Sequence, residues 1–251
     1  TAVSADSSDT QIVTVTITGS NDIPVLGGTV TGGVTEDTAV VGGNLVTGGT
    51  LTVVDIDSGQ SSFLAQAGVA GSHGYGSFDV DTAGNWTYSA ANAQAAIQTL
   101  AAGATLTDSF VVTSADGSAT QTVTVTITGS NDLAVIGGTV SGGVTEDVGL
   151  VGVDLVTGGT LTVADVDSGE AAFLVQAGTA GSNGHGTFTL DAAGNWSYSA
   201  GNAQAAIQQL AAGATLTDSF TAVSADGSDS QTVTVTITGT NDIPEIGRAH
   251  V

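Results

Sequence analysis

The sequence has no cysteine, no methionine, two prolines and, in 251 residues, a single basic residue, Arg248. Without cysteine, neither a disulfide nor a thiolate metal site can staple the fold, which leaves a hard cation or packing alone. With no basic patch to neutralise phosphates, nucleic acid is excluded as a partner. No apolar run approaches the roughly 20 residues of a membrane span. The opening Thr1-Ala2-Val3-Ser4-Ala5-Asp6 lacks the basic and apolar regions of a signal peptide. Helix formers such as lysine, methionine, arginine and glutamate are nearly missing.

What is present is glycine (37 residues), threonine, serine, valine and aspartate, the palette of short strands joined by tight turns. The formal net charge of -23 would suit a disordered chain, yet 41% of residues are hydrophobic, enough apolar surface to bury. An all-β fold is expected.

The chain repeats itself. Asn21-Asp22, Asn131-Asp132 and Asn241-Asp242 lie 110 residues apart, GGTVTGGVTED from Gly27 returns as GGTVSGGVTED from Gly137, and AAGATLTDSF from Ala101 returns unchanged from Ala211. Two whole repeats are expected, 23–132 and 133–242, each the size of a full domain rather than a solenoid turn. Residues 1–22 match 111–132 and are read as the last strands of a preceding repeat. Residues 243–251 begin the next linker. There the repeat pattern breaks into Glu245-Ile246-Gly247-Arg248-Ala249-His250-Val251, which is what a common sequencing adapter encodes. These seven residues are read as adapter, which would leave 23 acids and no Lys or Arg.

Val123, Val125 and Ile127 alternate with threonines, a strand with one buried face. Further strands are expected at 51–55, 61–66, 77–81, 86–89 and 106–113. Asp81–Asn85 reads as a hairpin turn with Gly84 and Asn85 suited to positive φ, and Trp86 and Trp196 as core. Asn92 is expected to cap one short helix ending at Gly103, repeated from Asn202 to Gly213. About seven strands and one short helix per repeat point to tandem Ig-like β-sandwiches. The orphan strand within 1–22 is expected to be disordered or to pair with an open sheet edge.

The acids recur in short sets at the repeat period: Glu36-Asp37 with Glu146-Asp147, Asp55 and Asp57 with Asp165 and Asp167, Asp116 with Asp226, and the pairs Asn131-Asp132 and Asn241-Asp242. In an Asp-x-Asp at a strand end both carboxylates lie on one side. Calcium takes six to eight oxygens, from carboxylates, amides and backbone carbonyls. Each aspartate taken singly is equally an ordinary turn former. No base is available to pair with them, so self-repulsion opposes compaction unless a cation screens it. The pattern is neither an EF-hand loop, from which Asp165-Val-Asp-Ser-Gly-Glu departs at its fifth and sixth positions, nor a GGxGxD repeat.

GVTED, LTVxDxDSG, FxxQAGxxGSxGxGxFxxDxAGNWxYSA and LxxGxTLTDSFxxxSADGSxxQTVTVTITGxND together resemble the bacterial VCBS repeat, a cadherin-like module, over both repeats and the leading segment. The resemblance implies an extracellular β-sandwich at the bacterial cell surface, binding Ca2+ and serving as stalk in large secreted RTX-type adhesins and biofilm proteins. Cadherins hold calcium between domains with an early Glu motif, a DxD motif and an Asn-Asp-containing linker. Glu36 and Glu146, Asp55/Asp57 and Asp165/Asp167, and Asn131-Asp132 resemble those three. The linker here is shorter, and Leu133-Ala134 stands at the middle junction where Ile23-Pro24 and Ile243-Pro244 stand elsewhere.

Catalysis has little support. His73 is matched by Asn183 and His185 by Tyr75, and a catalytic base would not shift between near-identical copies. The expected partners are neighbouring repeats of the same chain. The alternative is a module binding cell-surface carbohydrate or protein through its loops. It needs an exposed aromatic platform, for which Tyr75, Tyr88 and Tyr198 are the candidates.

Overall fold

A computed structural model describes residues 1–243; the adapter-like tail lies outside these. Ala2–Val3 (β1) and Thr10–Gln11 (β2) pair with each other. Then come Val25–Gly28 (β3), Thr31–Thr35 (β4), Asn44–Val54 (β5), Gln66–Ala70 (β6), Ser77–Val80 (β7), Asn85–Ala91 (β8), the helical turn Ala95–Gln98 (α1), Thr105–Thr113 (β9) and Thr120–Thr128 (β10). The pattern returns as Val135–Gly138 (β11), Ser141–Thr145 (β12), Asp154–Ala164 (β13), Gln176–Ala180 (β14), Thr187–Leu190 (β15), Asn195–Gly201 (β16), Ala205–Gln208 (α2), Thr215–Val223 (β17) and Ser230–Thr238 (β18). The fold is all-β, with a five-stranded sheet β3-β5-β8-β7-β6 and a three-stranded sheet β4-β10-β9, then β11-β13-β16-β15-β14 and β12-β18-β17.

By packing, the chain divides into two compact units. The first holds residues 1–34, 40–91 and 107–126; the second holds 35–39, 92–106 and the chain from Ile127 onward. In the first, the buried faces of the two sheets meet where the Phe78 and Phe110 rings stack, 4.2 Å between centroids. Leu45, Leu51, Trp86 and Tyr88 fill one side of this core and Val112, Val123 and Val125 the other. In the second, Leu155, Leu161, Phe188, Trp196 and Tyr198 face Phe220, Val233, Val235 and Ile237. The Val-Thr-Val-Thr alternation predicted this, since period two puts every valine inward.

Each repeat has eight strands because the first is cut in two. The chain runs antiparallel to β5 as β3, turns at Gly28 (φ +93°), and continues in the other sheet as β4. A side chain at Gly28 would collide with the β5 backbone at Thr50–Thr52, so glycine is required twice over. Trp86 pins the crossover, its Nε1–H donating to the Thr29 carbonyl at 2.8 Å. In the second unit β12 runs parallel to β18, from Ser141 beside Thr234 to Thr145 beside Thr238.

A buried carboxylate closes one hairpin in each repeat. Asp218, on β17 and without solvent exposure, accepts the backbone N–H groups of Asn183 (2.8 Å), His185 (3.0 Å), Gly186 (2.9 Å) and Ser219 (3.2 Å) and the Tyr198 hydroxyl (3.2 Å). The β14–β15 loop is thereby folded over it, and a side chain at Gly181 would occupy the space of the carboxylate. Asp108 does the same for His73, Tyr75 and Gly76 in the first unit.

Several expectations are corrected. Residues 61–65 are not strand; Phe63 is buried and joins Ser114 through one isolated bridge, and the strand begins at Gln66. Asn92 does not cap α1, whose first turn has no side-chain cap, but bonds to Asp37. Within Asp81–Asn85 only Gly84 has positive φ, while Asn85 opens β8 and is tied back to the Asp81 carboxylate. From Ile12 to Pro24 there is no strand, and Ile12, Val13, Val15 and Ile17 are exposed, so of the two alternatives for this segment pairing with a sheet edge is not met. Tyr88 and Tyr198 are fully buried, which removes them from any aromatic platform. No helix among the described residues is long and apolar enough to cross a membrane.

Candidate metal centre

The acid-rich region of the second unit is assembled from four segments. The first is the end of β4. Its pairing with β10 extends one residue further, the Glu36 N–H donating to the Thr128 carbonyl at 2.9 Å, and Glu36 has no solvent exposure. Its carboxylate accepts from Gln98 Nε2 at 2.8 Å and from the Ser130 N–H at 3.4 Å. Asp37 follows in a left-handed conformation (φ +53°). Asn92 braces it, giving Nδ2–H to its carboxylate at 2.6 Å and taking its N–H at 3.1 Å.

The second segment is the linker. Asn131 donates to the carboxylate of Asp226 at 3.0 Å and to the Asp132 carbonyl at 2.6 Å. The third is the turn after β13. Asp165 accepts the Asp167 N–H at 2.9 Å, and Gly169 has φ +89°, so the chain doubles back and brings Glu170 beside the two aspartates. Asp167 accepts the Asp132 N–H at 2.8 Å, and Ser168 N–H meets the Thr99 carbonyl at 3.1 Å. The fourth is Asp226, whose carboxyl Ser224, Ser228 and Asn131 hold well below the usual range.

Carboxylate oxygens of Glu36, Asp37 and Asp132 lie within 4.8 Å of one another, and so do those of Asp165, Asp167 and Glu170. Burial pushes Glu36 up to about 7, opposed by the Ser130 N–H and reinforced by the charges of Asp37, Asp132 and Asp167. Asp132 is raised by burial and by Asp167, Asp37 and Asp165. Glu170 is raised by burial and by Asp167, Asp165 and Asp226. These are like charges crowded into a poorly solvated place, with no Lys or Arg among the described residues to offset them.

Five buried carboxylate oxygens in this region have no hydrogen-bond donor: Asp132 Oδ2, Asp165 Oδ2, Asp167 Oδ1, Glu170 Oε2 and Asp226 Oδ1. Buried polar atoms are normally satisfied. An oxygen-only donor set with orphaned lone pairs fits a hard divalent cation and offers nothing to a soft one.

The remaining sequence candidates fall in two partial versions of this arrangement. Glu146, Asp147 and Asp242 converge within 4.8 Å, with Thr240 N–H on Glu146 and Asn202 bracing Asp147. Asn241 donates to the Asp242 carbonyl at 3.2 Å. In the first unit Asp55 accepts the Asp57 N–H, Asp57 accepts the Asp22 N–H, and Asn21 reaches Asp116, each at 2.8–2.9 Å. Serines 114 and 118, with Asn21, hold Asp116 well below the usual range.

Sequence reasoning passed over Glu170, because its counterpart is Gln60 and only acids recurring at the repeat period were counted. It also passed over Asp108 and Asp218, which recur unchanged but sit inside strands with no turn or cluster to mark them.

A model of the bacterial cadherin-like domain matches residues 21–129 and 131–239. No curated protein matches the chain. Among solved structures, repeats EC22-24 of mouse cadherin-23 are 17% identical, with a TM-score of 0.45, covering 88% of this chain and 67% of that one. The protocadherin gammaB4 extracellular domain is 15% identical, with a TM-score of 0.45, covering 89% and 33%. Repeats EC1-2 of human protocadherin-24 are 13% identical, with a TM-score of 0.41, covering 89% and 100%. The chain thus spans about a third of the protocadherin gammaB4 chain.

Proposed function

This chain belongs to the bacterial cadherin-like domain family, and on that footing we propose that it forms VCBS-type spacer repeats, 23–132 and 133–242, in the extracellular stalk of a large bacterial adhesin. Calcium at the repeat junction stiffens the stalk, which supports cell adhesion or biofilm formation. The observation that carries this reading is the set of five orphaned, buried carboxylate oxygens between Asp132 and Asp226 in a region without a base.

Glu36, Asp37, Asp132, Asp165, Asp167 and Asp226 would hold the ion, while Asn131 and Asn92 orient its ligands. When bound, the cation supplies the positive charge that the sequence lacks. Without it the carboxylates of segments 36–37, 132 and 165–170 repel one another, and the linker between them is free to open. Near-identity of neighbouring repeats suits a spacer lengthened by duplication. A loop-based binding module is less favoured, because of its three tyrosines only Tyr75 reaches the surface, stacked on His73 with centroids 6.1 Å apart.

Thermal unfolding with millimolar calcium and with chelator tests the reading. A ligand at a hundred times its Kd adds about 2.7 kcal/mol to the folded state, which for a domain of this size raises Tm by roughly 10 °C. A Tm that is the same in calcium and chelator removes the metal from the function.

A further inference from the structure

The two Asp-x-Asp turns differ at their second position, Ile56 against Val166, and at their sixth, where the first has Gln60 and the second Glu170. We propose that this position ranks the cation sites along the chain, Glu170 giving the turn after β13 a third carboxylate and a tighter hold on a divalent cation than the turn after β5 possesses. The proposal rests on the calcium reading above and refines it.

Three observations converge. Glu170 offers an oxygen within 4.8 Å of oxygens from both Asp165 and Asp167, and no such triple of acids exists in the turn at 55–60. Asp167 is only 2% exposed, and its Oδ1, like Glu170 Oε2 and Asp165 Oδ2, is buried without a hydrogen-bond donor. At the equivalent place in the first turn, Gln60 Oε1 is also buried and without a donor. The amide oxygen therefore occupies a like position but brings no charge. Carboxylates strengthen a calcium site through charge count, so a neutral oxygen in one turn and an anionic one in the next grade two otherwise similar sites. Filling then proceeds in order, the Glu170 site first, and the chain stiffens stepwise as calcium rises.

Calorimetric calcium titration of the whole chain, wild type beside E170Q, Q60E and D167N, tests this. E170Q should weaken the tight site about tenfold, equivalent to about 1.4 kcal/mol, and Q60E should tighten a weaker one. In chelator E170Q should raise Tm, because it removes repulsion, while in calcium it should shrink the gain; a merely structural glutamate would not produce opposite signs. E170Q binding with wild-type affinity while D167N loses the tight site overturns the ranking and leaves the calcium reading intact. A wild-type chain that takes no calcium overturns both.

Discussion

Replacing Asp218 by Asn should weaken the second repeat by about 3 kcal/mol with no change in side-chain volume. Oδ1 of Asp218 accepts from Asn183 and Ser219, and Oδ2 from His185, Gly186 and the Tyr198 hydroxyl. An amide keeps one acceptor, and its NH2 must then face two backbone N–H groups at a position where the side chain has no solvent exposure. A hydrogen bond to a charged acceptor is worth about 1.5–3 kcal/mol. Losing two of them gives about 3–6 kcal/mol, which relief from burying a charge reduces to the lower end. At about 4 °C or more per kcal/mol for a domain of this size, the repeat should melt roughly 12 °C lower. Differential scanning calorimetry of the whole chain supplies its own control, since the first repeat keeps its wild-type transition while the second moves away from it. The shift should be the same in calcium and in chelator, because the bonded partners of Asp218 are all in the β14–β15 loop, β16 and β17. A displacement below about 1 kcal/mol would refute the idea that this carboxylate closes the hairpin.

Two further outcomes follow from the same geometry. Gly181→Ala should destabilise the same repeat by at least about 2 kcal/mol, because its methyl group needs the space of the Asp218 carboxylate; chemical denaturation that leaves the unfolding midpoint in place would contradict the observed packing. In chelator, stability should fall as pH rises from about 4.5 to about 7, since Glu36 has a folded pKa near 7 against an ordinary 4.5 and the folded chain retains a proton that the unfolded chain releases. Asp132 and Glu170, both raised, act in the same direction. Asp116 and Asp226, both lowered, stabilise the fold above the ordinary aspartate range and lose that contribution as pH falls through it. Stability in chelator should therefore peak in mild acid. Calcium needs deprotonated ligands and should flatten the fall toward neutral pH. Urea midpoints that are equal at pH 5 and pH 8 in chelator would count against the burial of Glu36.

The strands easiest to read were those whose buried face is made of large side chains. Val123, Val125 and Ile127 announce β10 because each buries an aliphatic group every second residue. The glycine-rich strands were opaque for the opposite reason. Gly32 in β4 leaves room for the ring of Trp86, and Gly49 in β5 for the Thr29 side chain and that same ring, which a local pattern does not reveal. Phe63 misled in another way: it is core without being strand, bridged to Ser114 and with its N–H donating to the Thr82 carbonyl at 3.0 Å. Among site candidates, Glu36, Asp37 and Asp132 could be grouped as recurring acids, but their convergence depends on the ladder from β4 into Glu36 and on the Gln98 and Asn92 braces. Asn92 looked like a helix cap because its sequence context is one; its partner Asp37 is 55 residues away.

The parallel pairing of β12 with β18 also has a mechanical consequence. Strands that run side by side in the same direction have the start of one and the finish of the other at opposite ends of the ladder. A pull between the start of β12 and the end of β18 therefore drags the two strands past each other lengthwise. The rungs from Ser141 to Thr145, and the added one from Glu146 N–H to the Thr238 carbonyl, must then yield together rather than one after another as in an unzipped hairpin. Strands paired in this way resist being slid along their length far more than being peeled apart from one side.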